Sequence, residues 1–353
     1  MSAPSAAGLA PSFGFGDRLG LATPGHIAAL RAAGSDVVPF FAQQSARELH
    51  RTGRTWGEVF GAARTAADAA GWSSAYGADA DHCKDVADVV AARACGYTMF
   101  TLDPSDHIRE RGTTEERWLP VVEHVAALAA EVPEGADLEV SIDETSEPTT
   151  PAEHAFVAAE LRRRGVPLTS LAPRFPGAFE KGVDHRGSLA EFVDAVRAHA
   201  AVAREHGPYK LSLHSGSDKL RLYGPFARET RGLFHVKTAG TSYLEGLRVA
   251  GRVDPALLRE IWARAVARFP VDRATYTTTA DPAAVAPALV DAEPARLLDD
   301  SHARRVLHLT FGSVLSDAGL AGRLRTVLTA DGGAAYSAAL ERHFRAHLEA
   351  LGA

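Results

Sequence analysis

Apolar and polar residues along this chain fall into short runs of strand character separated by longer segments with three- and four-residue apolar spacing. The short runs lie at 13–19, 36–42, 73–79, 97–103, 137–143, 167–172, 209–214 and 233–237, and each predicts a strand. Segments 56–70, 115–132, 152–164 and 188–206 carry the helical spacing. Glycines at 34, 71, 96, 165, 207 and 232 stand where a helix would end in a left-handed residue before the next strand. Strands alternating with helices imply a parallel sheet with crossover helices. Eight such strands before residue 240 predict an α/β fold of the (β/α)8 TIM type.

The rhythm changes after residue 250. Residues 254–269 read as a helix, 274–280 as an extended Thr-rich piece, 295–315 as helical or mixed, and 333–351 as an amphipathic helix. The expected organisation is one barrel domain over 13–353, with a core at about 13–250 and a C-terminal helical extension at about 251–353. Residues 1–12, rich in Ala, Ser, Pro and Gly, are expected to form a disordered tail. A doubly wound sheet is the alternative architecture. It would need a dinucleotide fingerprint, and Phe13-Gly-Phe-Gly-Asp-Arg lacks the third glycine and a well-spaced acid, so no nicotinamide is expected.

Composition narrows the function classes. A formal net charge of −6 lacks the basic footprint that nucleic acid requires. Two cysteines provide no disulfide framework and point to a reducing cytoplasm. No apolar run is long enough to span a bilayer, and the N-terminus lacks signal-peptide character. The expectation is a cytoplasmic enzyme or binding protein for small molecules, with assembly into a homo-oligomer left open.

The candidate chemistry sits at the predicted strand ends, where barrels build their active sites. In 209–219, Lys210, Ser212 and His214 alternate with Leu211 and Leu213, which places them on one face of a buried strand. Of five lysines in the chain, Lys210, Lys219 and Lys237 fall in this strand and the next. His82 follows an Asp-x-Asp containing Asp81, a pattern open to metal ligation or to helix capping by Asp81. Asp143 and Glu144 could divide into a ligand and a general base. His214 is the leading ligand candidate, whereas His235 reads as a core residue. Imidazole and carboxylate donors without thiolate suit Zn²⁺, Mn²⁺, Co²⁺ or Ni²⁺. Lys219 and Arg174 could grip an anionic group, and Arg18, Gln43 and Gln44 could bond hydroxyls. Gly240-Thr241-Ser242 occupies the usual phosphate-cradle position of the fold. These residues point to a metal-dependent lyase or isomerase acting on a small polyol-like acid.

Several longer blocks carry a resemblance. GFGDRLGLATPGH (14–26), AQQS (42–45), GADADH (77–82), FTLDPSDH (100–107) and SIDET (141–145) are similar to the tagaturonate epimerase family. SLAPRF (170–175), KLSLHSGSDK (210–219), FHVKTAGTSY (234–243) and LHLTFGS (307–313) extend the resemblance from about residue 13 to the end. It implies a metal-dependent interconversion of D-tagaturonate and D-fructuronate, with relatives acting on the neutral ketohexoses tagatose and fructose. The inverted carbon is C4 in ketose numbering, not α to the C2 carbonyl. Retro-aldol cleavage of C3–C4 and re-addition is therefore the expected route. On that reading His82, Glu144 and His214 hold the metal, and Asp81 or Asp143 moves the C4 hydroxyl proton. Lys237 stabilises oxyanion charge, and Arg18, Gln43, Gln44, Arg174, Lys210 and Lys219 position the substrate. A metal-dependent aldolase or lyase on a sugar acid, and a non-catalytic sugar-acid binding protein, are the alternatives.

Overall fold

The computed structural model describes residues 3–352. Its strands are β1 (Ser12–Gly16), β2 (Val38–Ser45), β3 (Gly77–Cys83), β4 (Met99–Leu102), β5 (Asp137–Ile142), β6 (Ser170–Pro173), β7 (Lys210–Leu213) and β8 (Phe234–Thr238). They pair in parallel, in sequential order, and β8 closes on β1. This is the (β/α)8 barrel expected from the alternation. The outer faces of the strands, including Phe13, Phe15, Leu138, Val140, Leu211 and Leu213, are buried beneath the helices. Threonines start three of those helices. Thr55, Thr113 and Thr150 each form a reciprocal capping box, with Glu58, Glu116 and Glu153 respectively.

Register shows why some strand limits differ from the pattern. β3 lies four residues beyond the predicted start because its inward positions are Asp79 and Asp81, which no apolar alternation could mark. β2 extends through Gln43 to Ser45 for the same reason. Gly14 leaves room for the Gln43 amide, since a Cβ there would lie 1.9 Å from Gln43 Oε1. Gly207 is not a left-handed cap, having φ −121°. Its glycine is needed for close approach instead, because a Cβ would lie 2.4 Å from Tyr209 N and 2.6 Å from Ala203 O.

The N-terminal segment corrects the expectation of a disordered tail. The amides of Ala7 and Gly8 donate to the Asp137 carboxylate at 2.7 and 3.0 Å, and Ser12 opens β1. Residues 1–2 lie outside the described residues. Lys210 belongs to this same end of the barrel, where its Nζ donates to Ser12 Oγ at 2.9 Å and Ala10 O at 3.3 Å. It closes the floor and does not reach the strand tips, so it is not placed to bind substrate.

Beyond β8, helices Pro255–Asp272, Ser301–Leu309, Ala318–Thr329 and Ala334–Leu351 form the C-terminal region. The last of these covers the junction of β8 and β1, with the Phe344 ring 5.1 Å from Phe15 and 6.4 Å from Phe13. Among the described residues no helix is long and apolar enough to cross a membrane.

A buried relay joins helices Pro151–Arg163 and Leu189–His206 to β7. His199 Nε2 donates to Thr149 O at 3.1 Å, so its Nδ1 accepts from His154 Nδ1 at 3.0 Å, and His154 Nε2 accepts from Tyr209 Oη at 2.7 Å. The relay needs both imidazoles neutral. Burial lowers His199 to about 4, and burial with the neighbouring His199 lowers His154 well below its ordinary value. The unfolded chain binds these protons near 6.5, so their stabilising share is full above that pH and is lost as pH falls toward 4. Urea unfolding between pH 7.5 and 4.5 is expected to show this loss. His199→Gln should flatten it by up to about 1.4 kcal/mol per pH unit.

Candidate active site

Lys237, on the inner face of β8, organises the centre of the barrel. Its Nζ lies 2.7 Å from Asp79 Oδ2, 2.8 Å from Asp81 Oδ1 and 3.0 Å from Glu139 Oε1, and it also donates to Thr101 Oγ1. All four partners are buried. Lys237 thus sits as one cation among three buried carboxylates, hydrogen-bonded to Asp81 and Thr101 and ion-paired with Asp79 and Glu139. Burial pushes Asp79 up to about 7 against the pull of Lys237, with Asp81 and Glu139 adding to the rise. Burial also opposes ionisation of Asp81 and Glu139, but Lys237 and nearby imidazoles outweigh it and hold both below the usual carboxylate range.

Two histidines face each other above this cluster, with ring centroids 5.0 Å apart. His214, just past β7, is buried, with Nε2 2.7 Å from Glu139 Oε1 and Nδ1 3.4 Å from Asp143 Oδ1. Burial would lower its pKa, but Asp143 and Glu139 raise it to about 10. His82 lies in an irregularity of the β3–β4 register between Ala80 and Cys83, at φ +54°, a conformation rarely adopted by a non-glycine residue. The bend places its Nδ1 3.2 Å from Asp103 Oδ2 and its Nε2 3.7 Å from Asp81 Oδ1. The helix-capping alternative for Asp81 fails, because Asp85 caps the next helix by accepting from Asp88 N–H.

Each histidine therefore has one ring nitrogen beside an anchoring carboxylate and the other directed toward further acid groups. This is the arrangement by which carboxylates orient metal-ligating imidazoles. His214 Nδ1 is buried without a hydrogen-bond partner, and donor atoms of His82, Asp103 and Glu144 lie within 4.8 Å of one another. Carboxylates of Asp79, Asp81, Asp103, Glu139, Asp143 and Glu144 surround a single lysine and two imidazoles. The donor set of His82, Asp103 and Glu144 fits a divalent cation, with the His214 ring facing that of His82.

A cavity of about 430 Å³ opens beside His214 and Asp143. Asp143 accepts from Ser141 Oγ at 2.6 Å. Although burial resists its ionisation, His214 and His82 hold it far below the usual range. Glu144 stands at the rim, 3.7 Å from Arg47. Arg174, Lys181 and Tyr276 also line the space.

Other expected substrate contacts do not converge here. Arg18 is buried, its Nε bonded to Glu48 Oε1 at 2.7 Å and its Nη1 to His308 O at 3.2 Å, with Phe311 stacked on the guanidinium. It also closes the expected phosphate cradle, since a Cβ on Gly240 would meet Arg18 and His308 at 2.7 and 2.6 Å. Gln44 points to the helix layer, accepting from Arg54 Nη1 at 3.0 Å. Lys219 is buried against three backbone carbonyls, those of Ser217, Glu180 and Val183. Gln43 does face the barrel interior, and its buried amide has no partner in the protein. His235 is the expected core histidine, 2.8 Å from Ser12 Oγ.

Glu139, Asp103 and Lys181 are site residues that the sequence pattern alone does not mark as such. Glu139 was accessible in principle, because Asp137, Glu139, Ser141 and Asp143 share one parity while Leu138, Val140 and Ile142 share the other. Lys181 lies in a loop, where no periodicity indicates direction.

Charged side chains converging on one mouth of a closed parallel barrel define a (β/α)8 barrel enzyme. Comparison with known proteins narrows that class. The family model described as tagaturonate epimerase matches residues 1–131 and 118–351. The tagaturonate/fructuronate epimerase of Thermotoga maritima is 42% identical over 398 residues, covering 99% of this chain and 82% of that protein. The crystal structure of fructuronate-tagaturonate epimerase UxaE from Cohnella laeviribosi matches with a TM-score of 0.93 and 33% identity, over 99% of this chain and 83% of that one. A probable tagatose 6 phosphate kinase from Sinorhizobium meliloti, with a TM-score of 0.59 and 12% identity over 98% of this chain and 100% of that one, shares the fold alone. This chain belongs to the tagaturonate epimerase family, as the motif blocks implied, and is an isomerase.

Proposed function

We propose that this protein interconverts D-tagaturonate and D-fructuronate by inverting C4 in ketose numbering. The observation that carries this reading is the match over 99% of the chain to an epimerase of that specificity. The site is chemically suited to it, with a cavity of hexose dimensions beside two buried histidines and an acid cluster.

The C4 hydrogen is not acidified by the C2 carbonyl, so direct proton abstraction at carbon is unfavourable. Retro-aldol cleavage avoids it. Asp143, ionised and held by Ser141, is a carboxylate at the cavity wall and takes the C4 hydroxyl proton. The C3–C4 bonding pair moves to C3, giving an enediolate across C2–C3 and an aldehyde at C4. Rotation of the aldehyde presents its other face, C3 re-adds, and Asp143 returns the proton. Asp81, below His82, is a second candidate for this transfer but lies deeper, bonded to Lys237. A divalent ion held by His82, His214 and Glu144 would polarise the substrate carbonyl as a Lewis acid. Lys237 holds the carboxylates that orient this chemistry.

The test is conversion of D-tagaturonate followed by NMR in deuterated water, before and after treatment with a chelator. Expected are D-fructuronate without deuterium at C4, and loss of turnover on chelation with recovery when a divalent metal is restored. Deuterium at C4 would contradict a simple retro-aldol, and full activity after chelation would remove the metal. Release of free three-carbon products without epimer would favour an aldolase.

A further inference from the structure

Lys181 is half-buried at the mouth of the cavity and, among the described residues, makes no ion pair. Its Nζ has one hydrogen bond, to Ser215 Oγ at 2.6 Å. Burial and the nearby Arg47 lower its pKa, so the ammonium is held there at a cost. Arg174 on the same wall likewise has no ion pair, and its guanidinium makes only a long contact with Asp143 O at 3.5 Å. Cations left without carboxylates in a cleft are incomplete, because withdrawing a charge from water is costly unless an opposite charge meets it. Asp143, Glu144 and His214 line the same cavity. The cavity thus holds two cations without carboxylate partners beside an acid and imidazole cluster.

The Lys181 loop is fixed in this pose. Lys219 Nζ holds the carbonyl oxygens of Glu180 and Val183, and Glu180 accepts from Arg305 Nη1 at 2.7 Å and Thr279 N at 2.8 Å. The lysine expected to grip substrate thus anchors the loop that carries another lysine into the cavity.

We propose that Lys181 and Arg174 form the subsite that reads the substrate carboxylate, and so set the preference for a hexuronate over the neutral ketohexose of the same skeleton. This rests on the epimerase reading. With C2 and C4 presented to Asp143 and His214, the carboxylate at C6 in ketose numbering is met by Lys181 and Arg174.

Kinetics of the wild-type protein and of Lys181→Met on D-fructuronate and D-fructose test this. Loss of a charge-assisted contact is expected to reduce kcat/KM for the uronate by about thirty-fold or more, chiefly through KM. Activity on D-fructose should change by less than about threefold, because it has no carboxylate to lose. Arg174→Met should show the same selectivity and guards against a misfolded first variant. Equal losses on both sugars, or no loss on the uronate, would overturn the proposal. If the wild type epimerises neither sugar, the epimerase reading fails on its own. Calorimetric binding then decides the subsite: tighter binding of D-fructuronate than D-fructose, lost in Lys181→Met, supports it, and equal binding in both proteins refutes it.

Discussion

Lys237→Met is expected to cost about 3–5 kcal/mol of stability at neutral pH, because it leaves three buried carboxylates without their cation. Asp79, Asp81 and Glu139 all lie within 3.0 Å of the ammonium, and their side chains are at most 6% exposed. Without Lys237, burial raises Asp79 further above its unfolded value, and Asp81 and Glu139 are left with the nearby imidazoles to oppose burial. The unfolded chain then sheds the Asp79 proton first as pH rises, so the variant loses stability with rising pH and recovers part of it on acidification. Urea unfolding from pH 5 to 8 would show the deficit growing with pH. A uniform loss below about 1 kcal/mol would mean that the ammonium is not the organising charge. Turnover should be abolished in parallel, since the carboxylates that orient His214 would rearrange.

His214→Ala is expected to lower kcat by about 10²–10⁴-fold and to reduce the bound divalent metal, while leaving the fold intact. The separation from Lys237→Met follows from the remaining contacts. Glu139 keeps Lys237 at 3.0 Å and Ser170 Oγ at 2.6 Å when the imidazole is removed, so no buried carboxylate is stranded. Asp143 keeps Ser141. Metal analysis, steady-state kinetics and the unfolding midpoint measured on one preparation would distinguish a lost ligand from a damaged barrel. Normal turnover with normal metal content would take His214 out of the site.

The barrel was legible because its strands have apolar outer faces and its helices apolar inner ones. The alternation of Leu211 and Leu213 with Lys210, Ser212 and His214 marked both a strand and the direction of its polar face. The same pattern could not tell which end of the barrel a polar side chain serves. Lys210 and His214 share a face but lie at opposite ends of it, one at the floor and one at the mouth. β3 starts later than apolar alternation predicts because acidic residues fill its inner positions, and their partner, Lys237, lies far away in sequence. Arg18 and Lys219 read as free cations at strand ends, yet both are consumed by nearby carboxylate or carbonyl groups that only the folded chain brings together. Lys181 gave no signal, since its direction is set by contacts from Lys219, Arg305 and Thr279 to its loop.

The helix Ala334–Leu351 has a consequence for the order of assembly. It lies over the seam between the first and last strands, where Phe344 meets Phe13 and Phe15, and where Leu340 leaves no room for a Cβ on Gly25. During synthesis the eight strands emerge well before this helix. Until it arrives, the apolar back of β1 lacks its cover. A ribosome pausing between β8 and residue 334 would therefore hold an exposed hydrophobic seam, the interval in which a chaperone or premature aggregation has most to act upon.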